Sequence, residues 1–143
     1  MRIRLFGIEE ANGLLPTIRP EIEVLVRSKK ELDRMQRRIE AVSMALSGAT
    51  SGNSDVKVRR ELVQRRVKLA EAMKAGLERV QRHECLVKDL DKGLVDFYAL
   101  AGDRLIFLFW QLGEPEILHW HTLEGGFSAR QPLDRTEREQ GDV

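Results

Sequence analysis

The chain has 143 residues, of which 42% are hydrophobic and 33% charged, the composition of a soluble globular protein with one core. A lone cysteine, Cys85, excludes an intrachain disulfide, and no apolar run is long enough to cross a bilayer. The N-terminus lacks the apolar core and cleavage site of a signal peptide. We therefore predict a cytoplasmic protein, with a single domain over residues 1–133 and a polar, disordered tail over 134–143.

The net charge of +1 conceals an uneven distribution along the chain. Residues 27–68 contain 12 basic and 5 acidic residues, whereas residues 84–143 contain 6 basic and 12 acidic ones. The protein is therefore expected to be electrically polar, with one basic end and one acidic end.

The first residues predict a short strand and then a short helix. Ile3 and Leu5 alternate with arginines over Arg2–Phe6, as in a strand. The following IEEANGLLP carries acidic residues in its first turn, where they suit the helix dipole. Pro16 and Pro20 each fit the first turn of a helix, so we expect the short helix to break there and a long one to begin.

Two long segments with a heptad-like apolar repeat come next. The apolar seams are Ile18, Ile22, Leu25, Leu32, Met35, Ile39, Val42 and Leu46 in the first, and Val56, Val63, Val67, Ala70, Met73, Leu77 and Val80 in the second. Gly48–Asp55 between them is small and polar and is predicted as a loop. Two helices joined by a short loop fold back on each other, so an antiparallel, coiled-coil-like hairpin is predicted over residues 18–84.

After Glu84 the apolar period changes from helical to alternating, which predicts an antiparallel β-meander over residues 85–133. The candidate strands are Leu86–Asp89, Leu94–Ala99, Arg104–Leu112, Ile117–Thr122 and a short edge at Ala129–Leu133. The predicted fold class is therefore α+β, with a long helical hairpin packed against a small antiparallel sheet.

Both faces of this meander are predicted to be apolar. Simple alternation puts Val95, Phe97, Ile106, Leu108, Trp110, Leu112 and Ile117 on one face, and Leu94, Tyr98, Leu105, Phe107, Phe109, Leu118 and Trp120 on the other. The helices can cover one face, and the other needs a chain terminus, the C-terminal turn or a second subunit. A homodimer is the economical expectation.

His119 and His121 are two residues apart on a predicted strand, so their side chains point to the same face. Zinc, iron or manganese accepts such a pair together with a carboxylate, which Asp96 or Glu116 would supply, and Glu114 is a further candidate ligand. The alternative is structural: one imidazole caps the sheet edge and the other forms hydrogen bonds in an interface. A divalent transition metal is thus the cofactor that this pattern suggests.

Two further polar groups have ordinary structural explanations. Asp89, Asp91 and Asp96 resemble a carboxylate cluster, but KDLDKG is also common turn chemistry. Arg130, which follows Gly125-Gly126-Phe127, suits an anion, but it also suits an ion pair with a nearby acid.

The basic residues near the hairpin tip offer a nucleic-acid hypothesis. Arg59, Arg60, Arg65 and Arg66 are the candidate contacts with phosphates. Acidic residues interrupt the basic run and the region has no aromatic residue, which favours a solvated, salt-bridged helix surface instead.

Several motifs together resemble a prokaryotic family of small uncharacterised proteins, domain-of-unknown-function family 2203. The matching residues are Phe6, Glu9 to Asn12, Leu14 to Pro16, Val87 to Asp89, Gly93 to Phe97, Trp110, Leu112 to Glu114, Ile117, Trp120, His121, Gly126, Phe127 and Arg130. The resemblance implies a helical hairpin with a sheet and no established activity. It implies a polar cluster of Asp89, Asp96, Glu114, His121 and Arg130. His119 is not part of the family pattern, and Gly7 stands where a capping threonine is expected.

The leading hypothesis is a self-associating, non-enzymatic α+β module of unknown role. A metal-binding protein or metal-dependent enzyme centred on His121 and Glu114 is the first alternative, and nucleic-acid binding through the hairpin tip is the second.

Overall fold

The computed structural model describes residues 3–46 and 54–133 of the chain. The described residues form two helices, five strands and one 3₁₀ turn. The elements are α1 (Ile8–Ala45), α2 (Ser54–Gln81), β1 (Leu86–Asp89), β2 (Leu94–Ala101), β3 (Arg104–Gln111), β4 (His119–Thr122), the 3₁₀ turn Phe127–Ala129 and β5 (Gln131–Pro132). The predicted α+β class is confirmed, and the predicted tail at 134–143 lies outside the described residues.

Helix α1 runs unbroken through both prolines, so the predicted break at Pro16 and Pro20 is wrong. A proline inside a helix removes one backbone hydrogen bond. Both prolines lie on the exposed side, where water can hydrate the carbonyl groups that lose their partners. Ala11, Leu15 and Ile18 on the opposite side are buried against the sheet, and this packing keeps the helix continuous.

The two helices pack antiparallel. Arg59 Nε of α2 donates to Ser43 Oγ of α1, and Arg66 donates to Gln36. The residue numbers on α1 therefore decrease as those of their partners on α2 increase. The hairpin is longer at its start than the predicted 18–84, because α1 begins at Ile8, and α2 ends at Gln81.

The second predicted seam is partly wrong. Val67 is 48% exposed and Ala70 is also exposed, whereas Leu62, which the seam omitted, is buried. Most of the predicted loop lies outside the described residues, but Ser54 and Asp55 already belong to α2.

The strands form one antiparallel meander in the order β1-β2-β3-β4-β5, as predicted. The predicted strand at Arg2–Phe6 is wrong for its described part, since residues 3–6 form none. The backbone N–H of Phe6 nevertheless donates to Tyr98 O at 2.8 Å, beside the part of β2 that β1 leaves unpaired.

One face of the sheet, the near face, packs against α1. Its buried members are Val95, Phe97, Ala99, Ile106, Leu108 and Trp110, together with Ile117 from the segment before β4. Trp120 was predicted on the opposite face, but it pairs with Leu108 and packs against this core. The register of β4 therefore differs from simple alternation continued through Ile117 and Leu118.

The opposite face, the far face, is partly covered by the segment that follows β4. The rings of Phe109 and Phe127 meet edge to face with centroids 5.8 Å apart. Gly125 allows this fold-back, because a Cβ there would stand 2.8 Å from Ala129 Cβ and 2.9 Å from Thr122 Oγ1. The C-terminal turn was one of the segments expected to cover this face, and it covers the part around Phe109. Across residues 3–46 and 54–133, neither helix has the length and apolarity that a bilayer span needs.

Candidate functional site

A cavity of about 310 Å³ lies between the far face and the C-terminal segment. Phe107 and Phe109 of β3 form its floor, and Phe127 forms part of its cover. Asp96 and His121 also line it, although only 3% and 4% of their surfaces are exposed. These two are the buried polar side chains of the described core, so the cavity is the candidate functional site.

The strand register brings the two residues together. Asp96 of β2 pairs with Phe109, and His121 of β4 pairs with Phe107, so both flank β3 on the same face. Asp96 Oδ1 and His121 Nε2 are 3.1 Å apart across β3. A residue pair separated by 25 positions is thus made adjacent by the meander alone.

The hydrogen bonds of His121 restrict where its protons sit. Its Nδ1 lies 2.7 Å from the carbonyl oxygen of Thr122, which can only accept, so Nδ1 carries a proton. Its Nε2 then either accepts from a protonated Asp96 or, in the imidazolium form, donates to the carboxylate. In both arrangements the pair holds one proton between Nε2 and Oδ1, and losing it would set two acceptors against each other.

Asp96 is the member of the pair that a ligand can reach. Burial raises the pKa of its carboxyl above the ordinary value of 3.8, and the hydrogen bond from His121 acts in the opposite direction. Its second oxygen, Oδ2, has no hydrogen-bond partner in the described part of the chain, yet it is not sealed from solvent. Oδ2 is therefore an open hydrogen-bonding position in the cavity.

Cations of the chain already lie over the phenyl rings around the cavity. Lys88 Nζ is 5.2 Å from the ring centroid of Phe107. Lys92 Nζ and Arg130 Cζ are 4.4 and 4.3 Å from that of Phe127. The contact with Lys92 attaches the Phe127 cover to the turn between β1 and β2.

The predicted metal ligands divide into two pairs. His121 contacts Asp96, whereas His119 Nδ1 lies 3.6 Å from Glu114 Oε2, too far for a hydrogen bond. Glu114 Oε1 accepts from the Gln111 N–H at 2.7 Å, so this carboxylate helps close the turn between β3 and β4. Within the two described ranges, no three His, Cys, Asp or Glu side chains gather as metal ligands would.

The rest of the predicted polar cluster does not join the Asp96–His121 pair. Asp89 Oδ1 accepts from the N–H groups of Asp91 and Lys92, the turn arrangement considered for KDLDKG. Arg130 stacks on Phe127 and donates to its carbonyl group at 3.4 Å. Both residues support the loops around the cavity.

The candidate nucleic-acid residues lie on α2, far along the hairpin from the sheet. Arg59 and Arg66 donate to side chains of α1, whereas Arg60 and Arg65 are exposed. The thiol of Cys85 is buried, with 1% of the residue exposed, and burial raises its pKa to about 11.

Sequence reasoning missed Lys88, Glu124 and Phe127 as cavity residues. Phe127 carried a usable signal, because an aromatic residue directly after two glycines is suited to folding back over an apolar sheet face. Lys88 and Glu124 carried none, since exposed charged residues are common at strand ends.

Together, the fold and this site define a small α+β protein with a helical hairpin and a buried polar pair beside a sheet cavity. A family model described as "Uncharacterized conserved protein (DUF2203)" matches residues 4–133, so the chain belongs to that family. The searches among curated proteins and solved structures found no match.

Proposed function

We propose that the protein binds a small organic molecule through Asp96 in the far-face cavity. The supporting observation is the buried Asp96–His121 pair, whose Oδ2 has a hydrogen-bonding position open. A buried polar pair often costs stability relative to apolar residues of similar volume. A role in ligand binding therefore explains the presence of a buried polar pair on the far face better than a role in stabilising the fold does.

The shape and charge of the cavity favour one class of ligand. Its volume of about 310 Å³ suits a molecule of one ring, and its phenyl walls suit a flat apolar body. Both nitrogens of His121 are already engaged, and the lining cation Lys88 is outnumbered by the carboxyl groups of Asp89, Asp96 and Glu124. A ligand amine or hydroxyl can donate to Asp96 Oδ2, which accepts in both arrangements of the pair, whereas a ligand carboxylate would set one acceptor against another.

The first test uses three probes with the same ring: benzylamine, benzyl alcohol and benzoate. Each is titrated into the protein while backbone amide resonances are followed by NMR. We expect the amine and the alcohol to shift the resonances around Asp96 and Phe127, with a Kd on the order of 1 mM. Benzoate should cause no shift there, and equal binding of all three probes would contradict the proposal.

Two matched variants locate the interaction. Asp96→Asn replaces the ionisable carboxyl by a neutral amide of the same shape, so the preference for amine over alcohol should fall about tenfold. Glu124→Gln makes the same chemical change on an exposed residue of the same cavity and should leave the preference nearly unchanged. An equal effect of both variants would show that Asp96 has no special role.

Self-association is a second candidate, supported by the part of the far face that the C-terminal segment leaves open. Leu100 there is 40% exposed, and Ile3 and Leu5 beside this end of β2 are also exposed. A second copy would cover such apolar surface. Light scattering should then give twice 16.4 kDa, and Leu100→Lys should yield monomers. A monomeric wild type at every concentration would exclude this candidate.

A further inference from the structure

Two open grooves follow each other along one side of the helical hairpin, away from the far-face cavity. The groove nearer the sheet, of about 560 Å³, is lined by Leu32, Val67 and Ala70. The groove nearer the tip, of about 570 Å³, is lined by Leu46, Val56 and Val63. Among their described lining residues neither groove has a buried pair of titratable side chains, so both differ in character from the cavity.

The residues lining the two grooves are related by a shift of seven. On α1, seven residues back from Ser43 is Gln36. On α2, seven residues forward from four residues of the groove nearer the tip are four residues of the groove nearer the sheet: Arg59 leads to Arg66, Arg60 to Val67, Val63 to Ala70 and Gln64 to Glu71. Seven residues are close to two helical turns, so these positions repeat on one side of the hairpin. The two grooves are therefore parts of a single surface, which we call the hairpin groove.

The apolar floor of the hairpin groove lacks a cover within the described chain. Val67 and Ala70 belong to the apolar repeat of α2, yet both are exposed, because α1 packs against the neighbouring positions such as Leu62. Helix α2 thus has apolar residues on two sides, one against α1 and one facing the groove. This arrangement suits a third helix lying between α1 and α2.

The charge of the hairpin groove indicates what kind of helix would fit. Arg59 and Arg66 donate to the neutral oxygens of Ser43 and Gln36 at 2.8 and 2.6 Å, and neutral acceptors do not cancel the guanidinium charge. Nearer the sheet, the groove lining holds two acids and two bases. Nearer the tip, the charged members of the described lining are Arg59 and Arg60, so the basic excess lies at the tip.

A second copy of the hairpin is a poor occupant. Residues 27–68 carry 12 basic and 5 acidic residues, and two such surfaces side by side would repel each other. We propose that the hairpin groove binds an acidic amphipathic helix of a partner protein. Apolar residues of that helix, at helical spacing, would cover Val67 and Ala70, and its acidic residues would meet Arg59, Arg60 and Arg66.

The probe is a synthetic amphipathic peptide of three heptads, with leucine and isoleucine on one face and glutamate on its flanks. A control peptide has lysine in place of every glutamate. Fluorescence anisotropy with the full chain should show binding of the acidic peptide only. No binding of the acidic peptide at millimolar protein would overturn the proposal.

Adjacent arginines provide the matched variants. Arg66→Glu changes a groove residue and should weaken binding about tenfold or more, whereas Arg65→Glu makes the same charge change outside the groove and should weaken it less than about threefold. Ala70→Arg fills the groove without adding negative charge and should also weaken binding about tenfold. Circular dichroism checks that each variant is folded.

Three further results would each overturn the proposed occupant. Equal losses in Arg65→Glu and Arg66→Glu would indicate general attraction of polyanions. Displacement of the acidic peptide by a DNA oligonucleotide, with a steep salt dependence, would indicate nucleic acid. A wild-type dimer that Ala70→Arg converts to a monomer would indicate a second copy of the chain.

Discussion

The near and far faces of the sheet are built from the same strands but differ in what they bury. The near face places Val95, Phe97 and Trp110 against α1 in an apolar core. The far face places Asp96 and His121 between the rings of Phe107 and Phe109, beside a cavity. The chain therefore uses one face to stabilise the fold and keeps a polar pair on the other, where that pair serves the proposed binding.

The near face should be the more sensitive to truncation. Trp110 is fully buried and its Nε1 donates to Glu114 O at 2.9 Å, so Trp110→Ala should lower the free energy of unfolding by about 3 to 5 kcal/mol. Phe109→Ala should cost about 1 to 2 kcal/mol less, because Phe109 borders an existing cavity. Urea denaturation measures both, and a larger cost for Phe109→Ala would reverse the comparison.

Gly93, where β1 turns into β2, should be nearly as sensitive. Its φ is +70°, and a Cβ there would stand 2.7 Å from Leu112 Cβ. Gly93→Ala should therefore cost about 2 to 4 kcal/mol, from the strained backbone and the overlap together. Gly102→Ala is the control, since Gly102 has a φ of +64° and no neighbouring atom of the described residues lies within 4 Å of the added Cβ. This variant should cost about 1 kcal/mol. Similar losses of unfolding free energy in both variants would mean that Leu112 can shift to make room for the added methyl group at residue 93.

The hairpin and the meander were predictable because each leaves a periodic signal in the chain. The two heptad-like seams predicted the helices, and alternation in β2 and β3 separated Phe97 and Trp110 from Phe107 and Phe109 correctly. Local rules failed where packing overrode them, as when α1 continued through Pro16 and Pro20.

The site was only half predictable. Asp96 and His121 were both predicted, as possible metal ligands and as members of the polar cluster. Their direct contact was not predicted, because it depends on the pairing of β4 with β3. That register is set by the irregular segment before His119, which alternation does not describe. The cover supplied by Phe127 depends on the path of a loop, which leaves little periodic signal.

The polar pair should give the far face a pH dependence that the near face lacks. Because the pKa of Asp96 is raised by burial, the folded protein holds more protons than the unfolded chain between pH 3.8 and that raised value. The folded protein holds the Asp96 proton more tightly, and this contribution to the free energy of unfolding is fully present below pH 3.8. It is lost as pH rises through the raised pKa.

Asp96→Asn should remove this dependence, so the wild type should lose stability relative to the variant as pH increases. Urea denaturation between about pH 3 and 8 measures the difference, with Glu124→Gln as the control that should parallel the wild type. A constant difference between wild type and Asp96→Asn across this range would contradict the raised pKa.

We propose that Asp96 and His121 serve ligand binding and not stability, and the unfolding free energy of the double variant Asp96→Leu/His121→Leu tests this claim most directly. His121→Leu alone leaves a buried carboxyl without its partner. It should cost about 2 to 3 kcal/mol, less than for a fully enclosed pair because Asp96 lines a cavity. The double variant should be within about 1 kcal/mol of the wild type or more stable. A double variant as unstable as the single one would show that the pair holds the fold together, and would contradict the claim.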